Sequence, residues 1–312
     1  MIDFESFSEH ILNAKSIDFD SKALEIFHFQ AVHNPIYAAY LRARGIRSSS
    51  VQRVEEIPFL PIQFFKQHAV VSGDLSRMQA CYTSSGTTGA ITSRHHVWSE
   101  AFYLRHARNL FQEHYGPLEN FHVLALLPAY LEREGSSLVA MAADFIAASA
   151  SEHSGFYLYD HDALREKLAL LAQQRERKVL LLGVTFALLD LVESGIPLPE
   201  FPELIVMETG GMKGRRREMI REEVHAVLRP AFGVEHIHSE YGMTELLSQA
   251  YSFGEGVYQL PKTLRVLLRD VHDPLSPAAR SQGGINVIDL ANFHSCSFIE
   301  TQDLGRLRQM EH

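Results

Sequence analysis

Three short segments carry residue types that can handle a nucleotide. The first is Thr83-Ser84-Ser85-Gly86-Thr87-Thr88-Gly89, seven consecutive small residues of which five bear hydroxyls. Glycines let a backbone approach a ligand closely, and exposed amides and hydroxyls can wrap a phosphate chain without a charged side chain. A Ser/Thr-rich turn is the plainer account of the same composition. The segment is not a Walker loop, because GxxxxGK[ST] is absent, and no GxSxG nucleophile elbow lies near it. The second segment is Tyr241-Gly242-Met243-Thr244-Glu245, directly after the strand-like VEHIH. It offers an aromatic face to stack a base, a hydroxyl for a phosphate oxygen and a carboxylate for Mg2+. The third is Thr301-Gln302-Asp303-Leu304-Gly305-Arg306, after the strand-like SCSFIE. An ionised Asp there can accept hydrogen bonds from both hydroxyls of a ribose.

Such loops need a scaffold, and an alternation of apolar strands and helices begins at residue 121. FHVLALLP, GFYLY, KVLLLG, ELIVMETGG and VEHIH read as strands. Ser136 to Ala150, Asp160 to Arg175, TFALLDLVESG and Arg215 to Arg229 read as helices, with a short helix expected from Met243. Continuous apolar strands separated by helices predict an α/β class, a mostly parallel sheet covered on both faces. Ligands in such sheets bind beyond the carboxyl ends of the strands. Residues 1 to about 75 read as mainly helical, with Ser21 capping a helix toward His33 and a second helix from Ile36 to Arg44. Pro58 and Pro61 favour an extended crossing over the core. The expected organisation is a helical segment (1–75), an α/β ligand-binding domain (76–306) and a short tail (307–312).

Composition bounds the function. The 312 residues are 46% hydrophobic and 21% charged, a globular balance. With 29 Lys and Arg against 38 Asp and Glu the formal charge is -9, which gives no drive toward nucleic acid or anionic lipid. Only two cysteines occur, Cys81 and Cys296, in neither CxxC nor CxxH spacing. That argues against a disulfide framework and a thiolate zinc site and for a reducing, cytoplasmic setting. The acidic N-terminus is unlike a signal peptide, and apolar runs stop well short of the ~20 residues that span a bilayer.

SSGTTG, then YGMTE, then TQDLGR, in this order, resembles the adenylate-forming superfamily of acyl-CoA synthetases and luciferases. IPFLPIQFFKQH (57–68), LLPAYLEREGSSL (126–138) and ETGGMKGRRRE (208–218) are most similar to LuxE-type acyl-protein synthetases. The resemblance covers nearly the whole chain from about residue 20. It implies the large N-terminal domain of that superfamily. The implied activity is ATP- and Mg2+-dependent activation of a long-chain fatty acid to acyl-AMP, with transfer to a thiol acceptor. It further implies that Ser84, Ser85, Gly86, Thr87, Thr88 and Gly89 wrap the ATP phosphates. Gly210 and Gly211 would pack beside adenine, with Tyr241 and Gly242 on its other face. Thr244 would contact the α-phosphate, Glu245 would ligate Mg2+, Asp303 would grip the ribose and Tyr130 would lie near the carboxylate substrate. Gly183, within LLLGVTFALLDL (180–191), is a candidate for the acyl channel wall, although plain core explains that run equally well.

The chain also departs from the family pattern. The superfamily has a mobile C-terminal lid with a catalytic Lys, and only seven residues follow Gly305, so no counterpart of the lid is expected in this sequence. The thiol-using branch resembled here has an acyl-carrying Cys near its C-terminus. Cys296 precedes the Asp303 motif and reads as a core residue. Two other readings stand beside the first: an aryl-CoA ligase resembling phenylacetate-CoA ligase, and a non-catalytic nucleotide-binding subunit. The implied partners are a carboxylic acid substrate and an acyl reductase or acyl carrier protein. Plainer features are His236 and His238 as core or loop histidines, and His95 and His96 as phosphate contacts or solvated residues. Lys213 with Arg215, Arg216 and Arg217 reads as a charged helix start, and Glu132-Arg133-Glu134 as an ion-paired turn.

Overall fold

The computed structural model describes residues 2–84, 91–128, 135–195, 198–199, 201, 203–210, 219–278 and 281–308. Three helices open the chain: α1 (Phe4–Asn13), α2 (Phe19–His33) and α3 (Pro35–Ala43). The cap of α2 is Asp18, whose carboxylate accepts from the Ser21 amide, so the expected cap at Ser21 lies three residues too late. Asn34 caps α3 by accepting from the Ile36 and Tyr37 amides, with Pro35 at the first helical position. The segment with two prolines runs extended as β1 (Leu60–Pro61) and then makes one helical turn, α4 (Phe64–Gln67).

A hairpin follows, β2 (Ala80–Thr83) and β3 (Arg94–Val97), and then α5 (Glu100–Tyr115), capped by Ser99. The alternation expected from residue 121 is present. It runs β4 (Phe121–Leu126), α6 (Ser137–Ser149), β5 (Gly155–Phe156), α7 (His161–Gln174), β6 (Lys178–Val184), α8 (Thr185–Glu193), β7 (Leu204–Thr209), α9 (Arg221–Phe232) and β8 (His238–Tyr241). All six residues of β4 are buried, as a central strand covered on both faces requires. Strand β8 begins at the last residue of VEHIH. Residues 243–245 form a turn and not the expected helix.

Strands β9 (Ala250–Ser252) and β10 (Tyr258–Gln259) complete a seven-stranded sheet of order β10-β9-β8-β7-β6-β4-β5. The pairs from β8 through β5 are parallel, and β9 and β10 add antiparallel pairs at one edge. Strand order runs one way from β4 to β5 and the other way from β6 through β8. Right-handed crossovers therefore place α6 on one face and α8 and α9 on the other. A second sheet is mainly antiparallel, formed by β11 (Leu264–Arg269), β12 (Gln282–Asp289) and β13 (Phe298–Arg306), with β1 added parallel to β13. The sequence reading did not anticipate this sheet.

The N-terminal helices pack into the same core. The Gln30 amide donates to the carbonyls of Asn292 and Phe293 and accepts from the Ser297 amide. Asn34 donates to the Ser295 carbonyl, and the Phe4 and Phe7 rings meet Phe293. The loop before β13 is thus clasped from the N-terminal side. No helix among the described residues is long and apolar enough to cross a membrane.

Candidate nucleotide site

The carboxyl ends of β7 and β8, the turn at residues 242–245 and the outer half of β13 meet beside the β2–β3 hairpin. Tyr241 is the last residue of β8, and Asp303 lies within β13, so neither sits in a loop as the sequence suggested. The Tyr241 hydroxyl donates to Asp303 Oδ2 at 2.8 Å. Burial, then the Asp303 charge, raises the Tyr241 pKa, so its proton stays on the phenol. The ring meets Tyr258 edge-on at 5.8 Å, which fixes its plane.

Gly242 follows, where any larger residue would have to displace the Glu240 carboxylate. A Cβ there would lie 2.3 Å from Glu240 Oε1. Glu240 is buried, and the Thr209 hydroxyl donates to its other oxygen. Burial raises its pKa to about 7, with the neighbouring Glu208 charge adding to the effect and the Thr209 bond opposing it. Sequence reasoning passed over Glu240 because a carboxylate in a strand reads as an exposed residue.

The turn then presents Thr244, half-buried, and Glu245, buried. Desolvation raises the Glu245 pKa, while a hydrogen bond from Ser93 and the Lys66 charge oppose that rise. Downstream, buried Asp289 accepts from the amides of Leu247 and Ser248 and from the Ser248 hydroxyl, which anchors the chain leaving the turn. The His106–Ser248–Asp289 contacts are fully inside the core and make no accessible triad.

Mg2+ is usually held by one or two carboxylates together with substrate phosphates. Among the described residues no set of three or more His, Cys, Asp or Glu side chains is placed to hold a metal alone. A single buried carboxylate at Glu245, within electrostatic reach of Asp303, fits the phosphate-sharing arrangement.

Ser84 stands at the end of β2, where its hydroxyl accepts from the Ser93 amide at 2.9 Å and closes the hairpin base. Gly210 directly follows β7. Gly183 ends buried in β6 with Leu188 pressed over it, since an added Cβ would lie 2.8 Å from that side chain. Leu180 to Leu182 and Val184 to Leu189 are buried with it. Ser85, Gly86, Thr87, Thr88, Gly89, Tyr130 and Gly211 lie outside the described residues, as do Lys213, Arg215, Arg216, Arg217 and residues 132–134.

Among the histidine alternatives, the reading of His95 is overturned. His95 is neither a phosphate contact nor solvated; it is fully buried, and desolvation lowers its pKa to about 4. His238 bonds the Tyr115 hydroxyl, and burial lowers its pKa to about 4 as well. Glu208, at the end of β7, accepts from the Thr185 hydroxyl and faces Arg221 and His225 from α9. Burial alone would raise its pKa, but these partners outweigh it and hold the carboxylate charged.

No protein-family model matches the chain, and no curated protein matches it by sequence. Solved structures do share its fold. A 2-hydroxyisobutyryl-CoA ligase in complex with 2-HIB-AMP and CoA superposes with a TM-score of 0.68 at 12% identity, over 96% of this chain and 63% of that one. An open conformation of the ligase in complex with the same two molecules gives 0.66 at 12% identity, over 95% and 64%. ATP-bound MatB from Rhodopseudomonas palustris gives 0.51 at 16% identity, over 76% and 47%. The chain therefore spans under two thirds of the length of these structures. Its mixed α/β architecture, with a parallel sheet covered by helices, is the fold of the N-terminal domain of adenylate-forming enzymes.

Proposed function

We propose that this chain binds ATP and activates a carboxylic acid as its acyl-adenylate. The observation that carries the reading is the convergence of Tyr241, Thr244, Glu245 and Asp303 at the carboxyl edge of the parallel sheet. A carboxylate is a poor electrophile. Attack of its oxygen on the α-phosphorus of ATP forms the acyl–phosphate bond, expels pyrophosphate and leaves AMP as a good leaving group. The transition state gathers negative charge on phosphorus oxygens, so catalysis is chiefly positioning and charge stabilisation.

In this reading Asp303 accepts from the ribose hydroxyls, the Tyr241 ring stacks on the base and the Thr244 hydroxyl donates to the α-phosphate. Glu245 holds Mg2+, which when bound neutralises charge on the phosphate oxygens. The hydroxyl-rich loop from Ser84 to Gly89 wraps the remaining phosphates. A long-chain fatty acid is the proposed substrate, in the LuxE-like manner. A thiol on a coenzyme, carrier protein or acyl reductase is the proposed acceptor; its sulfur bonds the acyl carbon as AMP leaves.

Pyrophosphate exchange into ATP tests this directly, with straight-chain acids of increasing length beside an arylacetic acid. Exchange that grows with chain length is expected. Exchange with the aryl acid alone would move the substrate class. No exchange with any acid, and no ATP binding by calorimetry, would overturn the adenylation reading.

A further inference from the structure

Two buried side chains grip consecutive backbone carbonyls of the Thr244–Glu245 turn. His95 Nδ1 lies 2.8 Å from the Thr244 carbonyl oxygen, and Asn292 Nδ2 donates to the Glu245 carbonyl at 2.7 Å. Both residues are fully buried. A carbonyl only accepts, so His95 Nδ1 must carry a proton, and desolvation keeps the ring neutral. The ring is wedged between Phe65, edge-on at 5.8 Å, and His294, stacked at 5.8 Å with an interplanar angle of 11°. It has little freedom to turn away from the bond.

The two gripping residues come from different places. His95 is in β3, the strand that returns from the hydroxyl-rich loop, two residues after Ser93, which also hydrogen-bonds the Glu245 carboxyl. Asn292 belongs to the loop clasped by Gln30 of α2. The turn therefore has one buried tie to the hairpin and one to the body of the domain.

We propose that His95 is a positioning residue: through the Thr244 carbonyl it locks the loop-bearing hairpin in register with the turn that offers the Thr244 hydroxyl and the Glu245 carboxylate. The proposal rests on the adenylation reading for its catalytic consequence. Its structural consequence stands apart from that reading. Misplacement of a reacting group by about 1 Å can cost on the order of a hundredfold in rate, so a lost tie is visible in kcat.

The substitutions separate a donor at Nδ1 from mere bulk. The side-chain amide nitrogen of Asn falls where His Nδ1 lies, that of Gln falls nearer Nε2, and Leu offers neither. His95→Leu and His95→Gln are expected to lower kcat for ATP–pyrophosphate exchange about tenfold or more. The KM for the acid should stay within about twofold, because these residues do not touch it. His95→Asn should recover to within about threefold of the parent.

In parallel, amide hydrogen exchange on the full chain reads the turn itself. The Leu246 amide, which bonds the Met243 carbonyl at 3.0 Å, should exchange faster in His95→Leu while β4 amides stay protected. An Asn variant no better than Leu, or an unchanged Leu246 amide in the Leu variant, overturns the proposal. If the parent protein shows no ATP–pyrophosphate exchange, the adenylation reading fails, and the Leu246 amide with its rescue by Asn decides the role of His95.

Discussion

The Tyr241 hydroxyl donates a 2.8 Å hydrogen bond to the Asp303 carboxylate, joining the end of one parallel strand to a strand of the second, antiparallel sheet. The pair spans the seam between the two sheets, at the edge where strands of the larger one end. An ionised carboxylate has room for about four hydrogen bonds, so Asp303 can keep this one and still receive two ribose hydroxyls. The phenol thereby orients the carboxylate before a nucleotide arrives.

Removing each partner should therefore have unequal effects. Tyr241→Phe keeps the ring and its contact with Tyr258 but loses the donor. Because the bond is solvent-exposed, ATP affinity should fall only about threefold to tenfold, or roughly 1 kcal/mol. Asp303→Ala removes the acceptor for both ribose hydroxyls and should cost more. Calorimetric ATP titration of the two variants checks the order; equal affinity for Asp303→Ala and the parent would remove Asp303 from the site.

Glu240 makes stability depend on pH. Its folded pKa of about 7 lies above the ordinary glutamate value of 4.5. Below the lower value both states are protonated and the full contribution is present. As pH rises from there, the unfolded chain releases its proton while the folded one keeps it, so stability falls until the folded group also ionises. The change is at most about 3 kcal/mol over the window. Glu240→Gln keeps an acceptor for the Thr209 hydroxyl without the charge. It should be more stable than the parent at pH 8 and lack the parent's decline between pH 4.5 and 7 in urea titrations.

These residues show what was legible and what was not. The parallel sheet was readable because β4, β6 and β7 are mainly apolar segments separated by helices. The second sheet was not, because β11 carries Arg265 and Arg269 among half-buried positions and so shows no apolar run, and because β1 joins β13 from far away in sequence. The order of the site segments was visible from residue types alone. Their supports were hidden, since buried Glu240, His95, Asn292 and Asp289 look like surface polar residues until tertiary contacts place them. Burial also overturned the simplest reading of His95, whose neighbour His96 remains half-buried on the other side of the strand.

Lys66 tunes Glu245 from the short helix α4. Desolvation raises the Glu245 pKa and the Lys66 charge opposes it. Replacing Lys66 with Met deletes the opposing charge, so Glu245 should hold its proton to higher pH. The acid limb of the pH profile for ATP–pyrophosphate exchange should then move upward. The long, exposed side chain of Lys66 makes an unfolding effect small. An acid limb that stays in place would separate Lys66 from the ionisation of Glu245.

The two thiols should differ sharply in reactivity. Cys296 is fully buried, with Sγ 3.5 Å from the Phe298 carbonyl, and burial pushes its pKa to about 12. Thiolate is the reactive form, so at pH 8 only about one Cys296 in ten thousand would be ionised, without access to a reagent. Cys81 is exposed on β2, where partial burial raises its pKa against the opposing charge of Arg94. A maleimide should label Cys81 alone in the native protein and reach Cys296 only after denaturation. The same burial bars Cys296 from carrying an acyl group in the folded chain, so Cys296→Ala should leave ATP–pyrophosphate exchange within about twofold of the parent. Comparable labelling of both thiols under native conditions would mean that the core around Phe298 opens, and would return Cys296 to consideration as an acyl carrier.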